Sequence, residues 1–203
     1  MHRREKSIKA IAFDVGGVIT PIEPWEGWTP TSDQRNQIKS VISEIAKSLQ
    51  VSPNKDFRAA DLERELTVRL KNIPTRHVQR IISCISNPDN ELLDLISRLC
   101  NQYAIYGLSN APFGWTELRR KLLGLDRHFK RFFVSYEIDV RKPDKDFFLY
   151  FLKNTDLLPE ECLFVDDKKE NVDAAIRLGF RGYVYDSAKS LKNYLIKSAL
   201  IPD

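Results

Sequence analysis

Cysteine is scarce in this chain: Cys84, Cys100 and Cys162 are the three among 203 residues. They are odd in number, set among apolar neighbours and without a Cys-x-x-Cys pair, so reduced core cysteines of a cytoplasmic protein are expected rather than a disulfide framework. Long hydrophobic runs are missing too. No stretch approaches the roughly 20 apolar residues of a membrane span, and no membrane partner is expected. The start His2-Arg3-Arg4-Glu5-Lys6 has the basic character of a signal n-region. The apolar run after it, however, is about half the length of a secretory h-region and ends on Asp14, so a cytoplasmic location is expected. Repeats and low-complexity tracts are absent. A basic stripe is absent as well: the net charge of +4, in a chain that is 30% charged, leaves Lys and Arg scattered, which argues against nucleic-acid binding. The length suits one large domain, or a core domain with one modest insertion. No feature of the sequence specifies an oligomeric state.

The patterning changes along the chain. Residues 8–13 are apolar on both faces and predict a buried central strand of a parallel sheet. Residues 21–31 carry three prolines and the tryptophans Trp25 and Trp28, which predicts an ordered loop without regular structure. Ser32 or Asp33 is placed to cap a helix whose apolar positions Ile38, Val41, Ile42, Ile45, Ala46 and Leu49 keep a 3.6-residue period. Further amphipathic helices are predicted over 56–70, from Pro74 through Ile85, and from Pro88 with Leu92, Leu93, Leu95, Ile96 and Leu99 as its stripe. From Tyr103 onward short apolar strands at 103–108, 132–134, 162–165 and 182–184 alternate with helices near 115–123, 144–153, 169–178 and 188–198. That alternation predicts right-handed βαβ units: an α/β fold, a Rossmann-like three-layer parallel sheet with a small all-helical cap inserted after the first strand. The core is expected over 1–20 and 100–203 and the cap over 21–99. Ligands bind such sheets at the carboxyl ends of the strands, where Asp14, Ser109 and Asp166 fall.

Asp14 closes the first apolar run and opens the turn Asp-Val-Gly-Gly-Val, presenting a carboxylate where a strand leaves a sheet, as an enzyme nucleophile would be presented. Ser109-Asn110 follows the strand at 103–108, Lys142-Pro143 precedes a helical stretch, and Asp166-Asp167 follows Cys162-Leu163-Phe164-Val165. Each alone is ordinary turn or helix-start chemistry. In this order, each after the right kind of element, they resemble the four motifs of the haloacid dehalogenase-like (HAD) phosphohydrolases. The resemblance covers about 14–20 and 100–186. The helical insertion resembles in type the small cap of the subfamily that includes haloacid dehalogenases, the phosphatase domain of soluble epoxide hydrolases and bacterial sugar-phosphate phosphatases. The interval from Ser109 to Asp166 is too short for the larger α/β cap of other members. Asp-x-Gly-x-Val, Arg141-Lys142-Pro143 and Phe-Val-Asp-Asp look most similar to the α-glucose-1-phosphate phosphatase type.

The resemblance implies a role for each motif residue. Asp14 would attack a phosphoryl group and form an aspartyl-phosphate that water hydrolyses. Gly16 and Gly17 would let the backbone turn under the phosphate, with the Gly16 carbonyl completing a metal shell. Asp166 and Asp167, with Asp14, would hold Mg²⁺, which prefers hard oxygen ligands. Ser109 through its hydroxyl and Asn110 through its backbone N–H would bind phosphate oxygens. Lys142 would offset the charge of Asp14 and phosphate, and Asn171, five residues after Asp166, would support the site. The implied partner is a small phosphorylated metabolite.

Gly16 departs from the pattern, since the family's usual second aspartate, two residues after the nucleophile, supplies general acid–base help worth typically 10²–10⁴-fold. Three readings follow. The protein is a phosphatase that takes its proton from substrate, water or a cap residue; or a non-catalytic relative that binds a phosphorylated ligand or a protein; or a haloacid dehalogenase, which the pair Asp166-Asp167 disfavours. Glu23 and Glu26, beside Trp25, are candidates to replace the acid or are solvated loop charges. His77 is a candidate donor or a packing residue. Arg64 and Arg69 either reach a substrate from the cap or stay on a solvated face. His2 and His128 have no identifiable partner, and the stripe Phe147, Phe148, Tyr150, Phe151 is expected to pack against the sheet.

Overall fold

A computed structural model describes residues 7–20, 25, 27–51 and 56–202. Its contacts divide the chain into two compact units: a sheet unit comprising the chain up to Ile19, Asp89–Asn110 and the chain from His128, and a helical unit comprising Thr20–Pro88 and Ala111–Arg127.

The sheet unit is built on five parallel strands, β1 (Ala10–Phe13), β2 (Ala104–Ser109), β3 (Arg131–Val134), β4 (Cys162–Asp166) and β5 (Arg181–Val184), in the order β3-β2-β1-β4-β5. β1 lies at the centre because every one of its side chains is apolar and fully buried. The chain builds outward from β1 through β2 to β3, then returns to the other side of β1 with β4. The switch point of the doubly wound sheet therefore lies at the carboxyl ends of β1 and β4, where ligands bind in such folds.

Alternating strand residues face one side. Ala10, Ala12, Leu108, Phe133, Cys162 and Phe164 share a cluster with helices α7 (Lys145–Lys153) and α8 (Lys169–Arg177). Phe148 sets its ring edge-on to Phe164 at 5.3 Å and to Phe180 at 5.8 Å, and Phe151 meets Phe133 at 5.2 Å. The aromatic stripe after Lys142 is thus core packing, with offset and edge contacts favoured by the ring quadrupoles. The unit also holds α4 (Asn90–Leu99), the short α6 (Ser135–Ile138) and α9 (Ala188–Lys197), of which α4 and α9 pack on each other. Helices flanking the sheet complete a three-layer α/β fold. No helix among the described residues is long and apolar enough to cross a membrane.

The helical unit contains α1 (Ser32–Val51), α2 (Ala59–Arg69), α3 (Thr75–Ser86) and α5 (Trp115–Leu123). The first helix is capped by Thr31 rather than Ser32 or Asp33. Gln34 N–H donates to Thr31 Oγ1 at 3.2 Å and Thr31 N–H donates to Gln34 Oε1 at 2.9 Å, a reciprocal arrangement that satisfies two donors at once and outcompetes a single cap. α4 falls with the sheet and α5 with the helices, so the division differs from a single break near residue 100. The reason is local packing: Arg119 of α5 is buried and donates through Nε to the Cys84 carbonyl of α3 at 2.9 Å, while α4 lies against α9.

Candidate active site

Asp14, Ser109, Asn110, Lys142, Asp166, Asp167 and Asn171 all belong to the sheet unit. Asp14 is the first residue beyond β1, and its N–H continues the ladder by donating to the Val165 carbonyl at 2.8 Å. The carboxylate is almost fully buried. Its Oδ1 accepts from the Val15 N–H at 2.7 Å and pairs with Lys142 Nζ at 2.9 Å.

Lys142 is the hub. Its side chain has no exposure, and its Nζ lies 2.6 Å from the Leu108 carbonyl, 2.7 Å from Asp166 Oδ2 and 2.9 Å from Asp14 Oδ1. An ammonium has three donors, and three acceptors surround this one, so the buried charge is both paired and hydrogen-bonded. The backbone beneath it is fixed by Asn110. That side chain accepts from the Lys142 N–H at 2.9 Å and donates Nδ2 to the Lys142 carbonyl at 2.7 Å. The sequence had offered Asn110 for its backbone N–H, and this use of the side chain carries no motif signal. Asn110→Ala should free the Lys142 backbone and lower Tm by a few degrees, as thermal melts would read.

Asp166, the last residue of β4, has no exposure. Oδ1 accepts from the Lys168 N–H at 2.8 Å, Asn171 Nδ2 lies 3.0 Å from both oxygens, and Lys142 holds Oδ2. Asn171 therefore touches Asp166. Asp167 follows, and oxygens of Asp14, Asp166 and Asp167 lie within 4.8 Å of one another. The turn makes room for this approach at Gly17, whose φ is +89° and where a Cβ would come within 2.6 Å of Asp167 Oδ2. Any side chain there meets both a strained backbone and a displaced carboxylate. Ser109 ends β2, buried, in register with Val134. Gly16 is half-buried in the same turn.

Electrostatics follow from the crowding. Burial raises the pKa of Asp14 from 3.8 to about 6; Lys142 opposes that shift and Asp166 reinforces it. The Lys142 ammonium pairs with Asp14 and Asp166, and Asp167 adds a third carboxylate to the corner.

The other candidates have separate surroundings. In the helical unit His77 stacks on Trp28 at 4.1 Å and 10°, and its Nε2 accepts from Arg76 Nε at 3.2 Å. Desolvation, then the charges of Arg76 and Arg80, lower its pKa, so it is a neutral packing histidine near pH 7. Trp25 meets Trp28 at 5.8 Å and Trp115 at 6.0 Å, with Arg35 5.5 Å over its ring. Arg69 pairs with Glu44, and Arg64 lies 3.4 Å from Asp61 on an exposed face. His128 has a neighbour after all, since its Nδ1 lies 3.7 Å from Cys100 Sγ in the sheet unit. The cysteines are all free thiols, Cys84 and Cys162 buried and Cys100 half-buried. Glu23, Glu26 and His2 lie outside the described residues.

A doubly wound parallel sheet with acids at the carboxyl ends of the adjacent inner strands β1 and β4 places the protein among the Rossmann-like α/β enzymes. Within that class the chain belongs to the haloacid dehalogenase-like hydrolases, whose family model matches residues 8–179. It is 28% identical over 183 residues to a sesquiterpene phosphatase of Aspergillus oryzae, covering 87% of this chain and 89% of that protein. It is 26% identical over 193 residues to the D-ribitol-5-phosphate phosphatase of Bacteroides thetaiotaomicron, covering 87% and 91%. A HAD family enzyme of Bacteroides thetaiotaomicron, solved in complex with magnesium and inorganic phosphate, shares the fold with a TM-score of 0.56 at 19% identity, over 89% of this chain and 96% of that one.

Proposed function

We propose that the protein is a Mg²⁺-dependent phosphatase that hydrolyses a small phosphomonoester, such as a sugar phosphate, through an aspartyl-phosphate on Asp14. The observation that carries this reading is the bridge from the buried Lys142 Nζ to both Asp14 Oδ1 and Asp166 Oδ2 at the switch point of the sheet. The phosphatase relatives support it.

The donor set suits the ion. Asp14, Asp166 and Asp167 offer hard carboxylate oxygens within 4.8 Å of one another, beside the Lys142 ammonium that pairs with two of them. Bound there, with the Gly16 carbonyl as a further ligand, Mg²⁺ would neutralise phosphoryl oxygens and draw Asp14 toward its ionised form. Asp14 Oδ1 is held by the Val15 N–H and Lys142, which fixes the carboxylate that would attack phosphorus. The Ser109 hydroxyl and Asn110 N–H bind the transferring group, while Lys142 stabilises the charge that grows on it. The helical unit is the cap. Because Gly16 carries no acid, the leaving alkoxide takes its proton from substrate or water, and water attacks the aspartyl-phosphate without a base at that position.

Hydrolysis of p-nitrophenyl phosphate and a sugar-phosphate panel, with Mg²⁺ and with EDTA, tests the reading. Metal-dependent turnover is expected. Gly16 favours one second reading, a relative that binds a phosphorylated ligand without turning it over, and absence of turnover on every substrate would select it.

A further inference from the structure

The turn opened by Asp14 and the pair Asp166-Asp167 leave neighbouring strands, and a hydrogen-bonded path outside the carboxylate corner joins them. It begins at the Asp166 carbonyl, which accepts from the Tyr185 N–H at 2.9 Å, one step beyond the Asp166↔Val184 pair of the sheet. That bond fixes the peptide plane from which Asp167 departs. Tyr185 is buried, and its hydroxyl donates to Asp89 Oδ2 at 2.7 Å. Burial first, and then the Asp89 carboxylate, keep the phenol protonated and hence a donor. Asp89 caps α4 by accepting from the Leu92 N–H at 3.0 Å through its other oxygen, and its own N–H donates to the Ile19 carbonyl at 2.9 Å. Ile19 lies at the far end of the segment that Asp14 opens. The path therefore runs from the Asp166 end of β4 to Ile19, five residues after Asp14, without passing through the corner.

We propose that Asp89 and Tyr185 are positioning residues for the metal corner, holding the Asp14 segment and the Asp166–Asp167 peptide at the separation a divalent cation requires. The inference rests on the reading of the corner as a Mg²⁺ site. The tolerance there is small: the Gly17 backbone approaches the Asp167 carboxylate so closely that no Cβ fits between them. A few tenths of an ångström of slack between the segments alters how the three carboxylates meet one ion. Partners of this kind, which orient ligands without touching the metal, typically change affinity 10–100-fold.

The test is calorimetric titration of Mg²⁺ alone into the metal-free protein. Tyr185→Phe keeps the ring and deletes the hydroxyl; Asp89→Asn keeps the cap of α4, since Asn caps about as well as Asp. Each is expected to weaken Mg²⁺ about tenfold. The double variant is expected to bind no more weakly than the weaker single, because the two residues form one contact. Turnover at saturating Mg²⁺ should stay within about twofold of wild type, with the loss confined to the Mg²⁺ concentration needed. Wild-type affinity in both single variants, even with a lowered Tm, would overturn the proposal and leave the pair a packing contact. The wild-type titration separates the two levels of the claim: no Mg²⁺ binding there would overturn the metal site itself, whereas wild-type binding with unaltered variants overturns only the positioning role.

Discussion

Asp14→Asn is expected to abolish turnover while making the metal-free protein more stable. Without the nucleophile no aspartyl-phosphate forms, and losses for removing a nucleophile run to about 10⁴-fold or more. The stability gain follows from the raised pKa, 3.8 to about 6. A native state that binds the Asp14 proton more tightly than the unfolded chain loses stability as pH rises between those two values, and above pH 6 the ionised carboxylate costs roughly 3 kcal/mol. An amide carries no such cost. Urea denaturation in EDTA should therefore show the variant more stable at pH 8, with the difference shrinking as pH falls through 6 toward 4. Mg²⁺ should reverse the order by stabilising the wild type more. A variant less stable than wild type at pH 8 without metal would show that the Lys142 pair outweighs burial.

Lys142→Met has the opposite signature, losing activity and stability together. Its Nζ is the shared partner of Asp14, Asp166 and the Leu108 carbonyl. Deletion leaves two buried carboxylates and a carbonyl without that donor, and breaking a buried pair from one side costs about 3–5 kcal/mol. kcat should fall by about 10²–10³-fold, as for other groups that stabilise developing charge. Because the defect is an excess of negative charge, millimolar Mg²⁺ or a lower pH should restore much of the lost Tm, while kcat at saturating Mg²⁺ stays low. Recovery of kcat with Mg²⁺ would mean that Lys142 serves the fold alone.

The parts of this molecule that were legible in the sequence are those written in local pattern. Residues 8–13, apolar on both faces, announced a central strand, and Ile38 through Leu49 kept helical period across α1. The corner was legible as residue types, because Asp14, Lys142, Asp166 and Asn171 each lie within or beside a recognisable element. Their arrangement was not. Lys142 stands between Arg141 and Pro143 with nothing to mark it as a buried charge, and its third acceptor, the Leu108 carbonyl, has no side-chain signature. The amide of Asn110 could serve a phosphate or a backbone, and only the neighbouring segment decides. The four-residue α6 is too short to show a period. The apolar stripe of α4 did not say that it packs against α9 in the sheet unit, since a stripe states that a face is covered and not by what. Tyr185 sits just past a strand with no pattern of its own.

The central claim is a covalent phosphoryl-enzyme at Asp14, and mass spectrometry of acid-quenched enzyme during turnover tests it most directly. With p-nitrophenyl phosphate, whose leaving group needs no proton, the acid–base help missing at Gly16 falls on hydrolysis of the intermediate, so a phosphoryl group should accumulate on the peptide carrying Asp14, labile to hydroxylamine and absent from Asp14→Asn. Metal-dependent turnover with no label on that peptide, or with the label on another residue, would contradict the account.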